Sequence, residues 1–281
     1  MYILFAADPY VRRPVIIHTI RSGERSVFGM TVLQNELFVV GEVKQVDVYD
    51  ATTLKMTRHL KVQGLERPWD VTSCAQYRRL YVADWSEPFK IHSLNVNGSD
   101  VKGWTTEDAP QGLSVIQFVG NVLVAFDRVQ KLKEFTPSGK LVRTVVLNEE
   151  LPRPLQAIHF NGGFIVCHGV KSDKFNRVAV IDSSGSAVLS FGGPPGSTTS
   201  LLNCPLRFAV DKDGYAFVAD WNNNRIVLLN PALTSARELV CERYANRSLD
   251  PVRLYFDEIR GRLFVADHSN KDVLVIQVKH L

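Results

Sequence analysis

Four aspartates stand at the ends of similar apolar runs: Val82-Ala83-Asp84, Ala125-Phe126-Asp127, Val218-Ala219-Asp220 and Val265-Ala266-Asp267. Carboxylates that converge on one point hold a hard divalent cation through oxygen. Carboxylates repeated at one place in successive units do something else, because each stays within its own unit. There Asp accepts hydrogen bonds from loop N–H groups, as it commonly does in turns. The histidines offer no better centre. His159, His168 and His268 have no zinc-ligand spacing, and the four cysteines, Cys74, Cys167, Cys204 and Cys241, contain no CxxC pair. The motifs HExxH, GxSxG and GxxxxGK are absent, and Gly192-Gly193-Pro194-Pro195-Gly196 reads as a turn-rich loop. No catalytic residue, metal ligand or cofactor is therefore assigned.

Cations beside flat rings offer another chemistry. Lysine and arginine track phosphates while aromatic faces stack bases, which suits single-stranded RNA. The same charges attract an acidic or phosphorylated protein segment. The candidates are Lys90, Lys131, Lys174, Arg177, Arg225 and Lys271, with Trp85, Trp221 and His268 as the rings. Lysine and arginine also simply keep loops soluble, and large aromatics mostly serve packing. The net charge of +4 does not separate these readings; its distribution over the fold does. Nothing in the sequence suggests DNA specificity.

A repeat positions these residues. The stretch from Phe191 to Pro231 spells out one unit. A Gly/Pro-rich loop leads to a strand at Arg207 to Val210, and the turn Asp211-Lys212-Asp213-Gly214 to a second strand ending at Asp220. The loop Trp221-Asn222-Asn223-Asn224-Arg225 then leads to a third strand, Ile226 to Leu229. Aligning weaker copies on the end of the second strand adds Val40-Gly41-Glu42 and Cys167-His168-Gly169 to the four Asp-ended runs. The spacing of roughly 42 to 51 residues suits four short strands per unit. Pro68, Pro110, Pro154, Pro205 and Pro251 sit at the starts of first strands, where a missing N–H does least harm. Short runs of Val, Ile, Phe, Leu and Tyr are cut by turn dipeptides such as Asn97-Gly98 and Gly162-Gly163, and no window sustains a helical period.

The expectation is an all-β chain forming a six-bladed β-propeller of four-stranded blades, one domain over residues 1–281. Blades fall near 26–65, 66–108, 109–151, 152–202, 203–248 and 249–281. The last holds only three strands. The run 14–20 is expected to complete it from the N-terminal side and so close the ring.

The fifth unit resembles the NHL repeat, and the whole chain is similar to the six-bladed NHL propeller of tripartite-motif (TRIM-NHL) proteins. The resemblance rests on Phe191-Gly192, Pro205, Ala209-Val210-Asp211, Asp213-Gly214, Phe217-Val218-Ala219-Asp220, Asn223-Asn224-Arg225 and Leu228. Blade six keeps Pro251, Val265-Ala266-Asp267, Asn270 and Lys271, and blade two keeps Pro68 and Tyr81-Val82-Ala83-Asp84. Blades one, three and four depart from the pattern, most of all at Cys167-His168-Gly169. The resemblance implies a binding scaffold, and some family members bind RNA. The family's zinc-binding RING and B-box and its coiled coil have no counterpart here, so a ubiquitin-ligase role would be one of substrate recruitment. Propeller enzymes such as calcium-dependent lactonases and zinc amidating lyases need converging oxygens or histidines. Only Asp70 is placed to converge.

In such a fold the loops from second to third strands share a face with the blade-to-blade connections. These loops hold nine basic residues, Lys44, Lys90, Arg128, Lys131, Lys171, Lys174, Arg177, Arg225 and Lys271, against Glu87 and Asp173. This is the expected partner face. First strands start around the centre with Met30, Asp70, Gly112, Gln156, Arg207 and Arg253. One reading there is an ion pair of Asp70 with Arg207 or Arg253; another is a phosphate or carboxylate held by both arginines. Cys204 and Cys241 are expected at opposite edges of blade five, about 14 Å apart at strand spacing and too far for a disulfide. Scattered thiols, no signal-like segment and no membrane-length apolar run point to a cytoplasmic, monomeric domain without a membrane partner. The expected function is non-catalytic binding of single-stranded RNA first, or of an acidic or phosphorylated protein segment second.

Overall fold

The computed structural model describes residues 9–11, 13–23, 25–239 and 248–279. Six four-stranded antiparallel sheets stand as the six blades of a β-propeller. Blade one runs Val27–Leu33, Glu36–Gly41, Gln45–Asp50 and Met56–Lys61. Blade two runs Pro68–Cys74, Arg79–Asp84, Lys90–Asn95 and Lys102–Thr105; blade three runs Gly112–Ile116, Asn121–Phe126, Lys131–Phe135 and Leu141–Val146. Blade four runs Pro154–Phe160, Gly163–His168, Asn176–Ile181 and Ala187–Gly193; blade five runs Pro205–Val210, Ala216–Asp220, Arg225–Leu229 and Ala236–Glu238. Blade six takes Pro251–Asp257, Arg262–Asp267 and Asp272–Gln277 from the C-terminal end, and Val15–Arg21 pairs antiparallel with the last of these as its outer strand. The expected closure is therefore present, and it covers an edge that would otherwise offer a free ladder. Cys241 lies outside the described residues.

Each blade is buried on both faces, which explains why second strands read as unbroken apolar runs rather than alternating ones. In blade one, Phe38 and Val40 pack with Val71, Leu80 and Val82 of blade two. The intervening Leu37 and Val39 pack with Phe264, Val273 and Val275 of blade six. Period-two alternation thus sends successive side chains into two different inter-blade cores. A fully buried Phe or Leu contributes about 2–3 kcal/mol in such a position. Tyr10 adds a second clasp near the closure: its ring lies 4.8 Å from that of Phe217, and its hydroxyl donates to Asp211.

Five of the six first strands carry a β-bulge at the same place: between Val27 and Gly29, Pro68 and Asp70, Pro154 and Gln156, Pro205 and Arg207, and Pro251 and Arg253. A bulge leaves one residue unpaired and re-aims its side chain. Those residues are Phe28, Trp69, Leu155, Leu206 and Val252. The first strands of successive blades touch one another around the centre, so the bulges converge on one end of the ring.

Candidate ligand site at the channel mouth

Two layers of side chains build this end. The inner layer is the residue after each bulge, with Gly112 in blade three: Gly29, Asp70, Gly112, Gln156, Arg207 and Arg253. Blade one contributes Gly29 rather than the expected Met30, because Gly29 pairs with Val40 as Asp70 pairs with Ala83. The four polar members are buried, with Arg207 only 5% and Arg253 only 3% exposed. Glycine is required at two positions by close approach. A Cβ on Gly29 would meet Val71 N at 2.6 Å, and one on Gly112 would meet Leu155 O at 2.5 Å.

Hydrogen bonds cross the ring. Arg253 Nη2 meets Asp70 Oδ1 at 2.8 Å, and Asp70 Oδ2 accepts from Leu113 N at 2.8 Å. Gln156 Oε1 accepts from Phe208 N at 2.9 Å. Arg207 donates to the main-chain oxygens of Gln111 at 2.7 Å and Leu206 at 2.8 Å. Of the two sequence alternatives for Asp70, the ion pair with Arg253 is the one formed. Burial pushes the Arg253 guanidinium down from its ordinary value; Asp70 opposes this, and the Arg207 charge adds to it. Nε and Nη1 of Arg253 and Oε1 of Gln111 are buried without a hydrogen-bond partner.

The outer layer walls an open cavity of about 320 Å³, lined by Phe28, Trp69, Leu206, Val252, Trp221 and His268, with Arg207 and Gln111 as its polar members. Trp221 opens a short 3-10 turn after the second strand of blade five, and His268 follows the second strand of blade six. Their loops are tied to the connections before each blade: Asn222 N donates to Asn203 O at 3.1 Å and His268 N to Asp250 O at 2.9 Å. Trp85 occupies the matching place in blade two but stands behind the wall. It stacks on Trp69 at 3.9 Å and donates from Nε1 to Pro110 O at 2.8 Å. Its work is packing.

The cations at the mouth divide into engaged and available groups. Arg225 is engaged: it donates to Asp220 at 2.7 Å and to the main-chain oxygens of Ser197, Thr198 and Leu201. It holds the long connection before blade five in place, so it is not free for a phosphate. Arg177 lies 4.0 Å over the Phe175 ring and 3.9 Å from Glu150, and Lys174 lies over the same ring at 5.1 Å. Arg128 meets Asp108 at 3.7 Å, and Lys44 pairs with Glu66. The expected nine-to-two basic excess counted only the loops. The blade-to-blade connections of the same face add Glu66, Glu107, Asp108, Glu149, Glu150 and Asp250 but also Arg25, Arg67 and Arg153, so among the described residues the excess narrows and the face stays basic. Lys90, Lys131, Lys171, Lys174 and Lys271 form no ion pair among the described residues.

The repeated aspartates tie loops, as their recurrence suggests, but one is out of place. Asp84 accepts from Glu66 N and Arg67 N at 2.9 Å each, from Ser86 and from His92. Asp220 accepts from Asn203 N at 2.6 Å and Asn223 Nδ2 at 2.7 Å, and Asp267 accepts from Asn270 Nδ2 at 2.7 Å. Their counterpart in blade three is Phe126, since Gly112 pairs with Ala125 as Asp70 does with Ala83. Asp127 lies one residue beyond, with Oδ1 buried and unpartnered; burial and then Asp108 raise its pKa. In blades one and four the true counterparts are Gly41 and His168, not Glu42 and Gly169. Among the described residues no group of three or more His, Cys, Asp or Glu could hold a metal ion. No helix among them is long and apolar enough to cross a membrane.

No protein-family model matches the chain, and no curated protein matches it by sequence. Its likeness is to solved structures. A structural-genomics protein of unknown function from Bacteroides thetaiotaomicron VPI-5482 aligns over 96% of this chain and 73% of its own, at 12% identity and a TM-score of 0.69. Hydrazine synthase from Kuenenia stuttgartiensis aligns over 99% of both chains at 14% identity and a TM-score of 0.66. A protein of unknown function from Bacteroides caccae aligns over 82% and 81% at 17% identity and 0.60. At these identities the likeness is one of fold alone.

Of the cavity's lining residues, sequence reasoning singled out Trp221, His268 and Arg207 for a site and missed Phe28, Trp69, Gln111, Leu206 and Val252. A signal was present. Trp69, Gln111, Leu206 and Val252 each directly precede an inner-layer position in the repeat alignment, and Phe28 does so once register replaces Met30 with Gly29.

Proposed function

We propose that the chain is a non-catalytic, NHL-type binding propeller that recognises a protein segment on the face carrying the channel mouth, with an apolar anchor of that segment seated in the central cavity. The observation that carries this reading is the cavity itself: about 320 Å³, walled by Phe28, Trp69, Trp221, Val252 and Leu206. Interfaces concentrate their energy in a few buried aromatic anchors, and an aromatic-walled cavity is suited to receive one. Cys74, Cys167 and Cys204 are free and buried, and burial pushes the Cys167 and Cys204 thiols up to about 12. Unreactive, unpaired thiols suit the cytoplasm, which belongs to the proposal.

Single-stranded RNA is the second reading. It is favoured by Lys90, Lys131, Lys171, Lys174 and Lys271, which come from four blades and carry no ion pair among the described residues. One experiment separates the two. A displayed random-peptide library and a random single-stranded RNA pool are each selected against the purified chain. The best ligands are then measured against Trp221→Ala and against Lys171→Glu/Lys174→Glu. Peptides sharing an apolar anchor and weakened at least tenfold by Trp221→Ala support the protein reading. RNA binding lost on Lys171→Glu/Lys174→Glu and indifferent to Trp221→Ala replaces it with the second.

A further inference from the structure

The inner layer of the channel mouth is short of one negative charge. Two guanidinium groups, Arg207 and Arg253, are buried close enough for their charges to repel. Among the described residues, Asp70 forms its ion pair with Arg253 and not with Arg207. Arg207 meets no carboxylate among the described residues, and its hydrogen bonds end on the neutral main-chain oxygens of Leu206 and Gln111. A buried cation without a counter-ion is expensive. A fold meets that cost most readily where an anion is to be bound. Among the described residues, Arg207 is also the one lysine or arginine that lines the cavity.

We infer that the cavity binds an apolar or aromatic group ending in a single carboxylate, with Arg207 as the carboxylate's partner. This deepens the protein-segment reading and rests on its anchor pocket. The walls suit a flat apolar body, and the missing charge is one, which a monocarboxylate supplies. A phosphate dianion brings twice the charge to a site where one guanidinium lacks a counter-ion among the described residues. Arg207 is the residue suited to the task, because its planar fork grips both oxygens of a carboxylate. Two sources carry this chemistry: a free aromatic monocarboxylate, or the terminal carboxylate of a polypeptide ending in an aromatic residue.

The test needs no substitution in its first arm. Indole-3-acetate and indole-3-acetamide are titrated into the wild-type chain by calorimetry, beside Gly-Gly-Trp as free acid and as C-terminal amide, with inorganic phosphate as a control. The expected result is at least tenfold preference for acid over amide in one of the two pairs, and no binding of phosphate at millimolar concentration. Preference within the indole-acetate pair identifies a small-molecule source; preference within the peptide pair alone identifies a chain terminus. The second arm repeats the better acid with Arg207→Met and, should that variant fold poorly, with Trp221→Ala at the rim. Arg207→Met is expected to abolish the acid preference while keeping the folded state. Acid and amide binding alike overturns the carboxylate inference but leaves the anchor pocket standing. Binding of neither overturns the inference and removes the support it drew from that pocket, and the peptide selection then decides the wider reading alone.

Discussion

His168 faces Arg177 across blade four at the ladder position where Asp220 faces Arg225 in blade five. In blade five the arginine Nε donates to the carboxylate at 2.7 Å. In blade four Arg177 Nε is buried without a partner, and the histidine facing it offers no carboxylate. The repeat has kept the arginine and lost its acid.

Restoring that acid gives the first prediction. His168→Asp is expected to stabilise the protein by about 1 kcal/mol, a charge-assisted hydrogen bond offset by carboxylate burial. The gain is limited by Pro152. It has no N–H where Asn203 N reaches Asp220 at 2.6 Å and Glu66 N reaches Asp84 at 2.9 Å. Urea unfolding at pH 7 measures it, and a lower midpoint in the variant contradicts it.

The same histidine sets an acid-sensitive window. Burial, and after it the Arg177 charge, push the His168 imidazole down to about 4. In the unfolded chain it protonates near 6.5, so on acidification the unfolded state takes up the proton first. Its contribution is therefore complete above pH 6.5 and is lost as pH falls toward 4, by about 3 kcal/mol in all. Stability measured from pH 7.5 to 4.5 is expected to fall with this slope in the wild type and to flatten in His168→Gln. Equal slopes reject the assignment.

The aspartates that look alike in the alignment are expected to behave differently. Burial raises the Asp84 carboxyl, but hydrogen bonds from His92, Ser86 and main-chain N–H groups more than reverse this and hold it below its usual range. Asp84→Ala strands several buried donors and is expected to cost about 3 kcal/mol. Asp127→Ala removes a carboxyl with an unpartnered oxygen and is expected to change stability by less than about 1 kcal/mol. Parallel denaturant titrations decide; similar losses at both positions would show that Asp127 ties its loop after all.

The two tryptophans separate in the same way. Trp85→Ala breaks the stack on Trp69 and the bond to Pro110, and is expected to cost about 2–3 kcal/mol of stability. Trp221→Ala is expected to leave the melting temperature within about 2 °C while weakening any ligand of the cavity. A large fall in melting temperature for Trp221→Ala would move it from the binding wall into the core.

The sequence by itself determined the architecture. A spaced set of strand ends, prolines at strand starts and doubly buried apolar runs leave little besides a closed ring of four-stranded blades. It also determined which aspartates tie loops wherever the register is unbroken, as at Asp84, Asp220 and Asp267. Three matters were decided only by the tertiary structure. Register decided that Gly41, Phe126 and His168 take the aspartate's place, because one residue of shift is invisible to an alignment anchored on similar letters yet moves every side chain. Connections brought Glu66, Asp108 and Glu150 beside Lys44, Arg128 and Arg177, so cations that look free in the loops are partly engaged once distant segments share the face. The bulges turned Phe28, Trp69, Leu206 and Val252 toward one mouth, while Asp70 reached Arg253 and left Arg207 without an anion. Which of two arginines finds the single carboxylate depends on distances across the ring, and those exist only when six blades close.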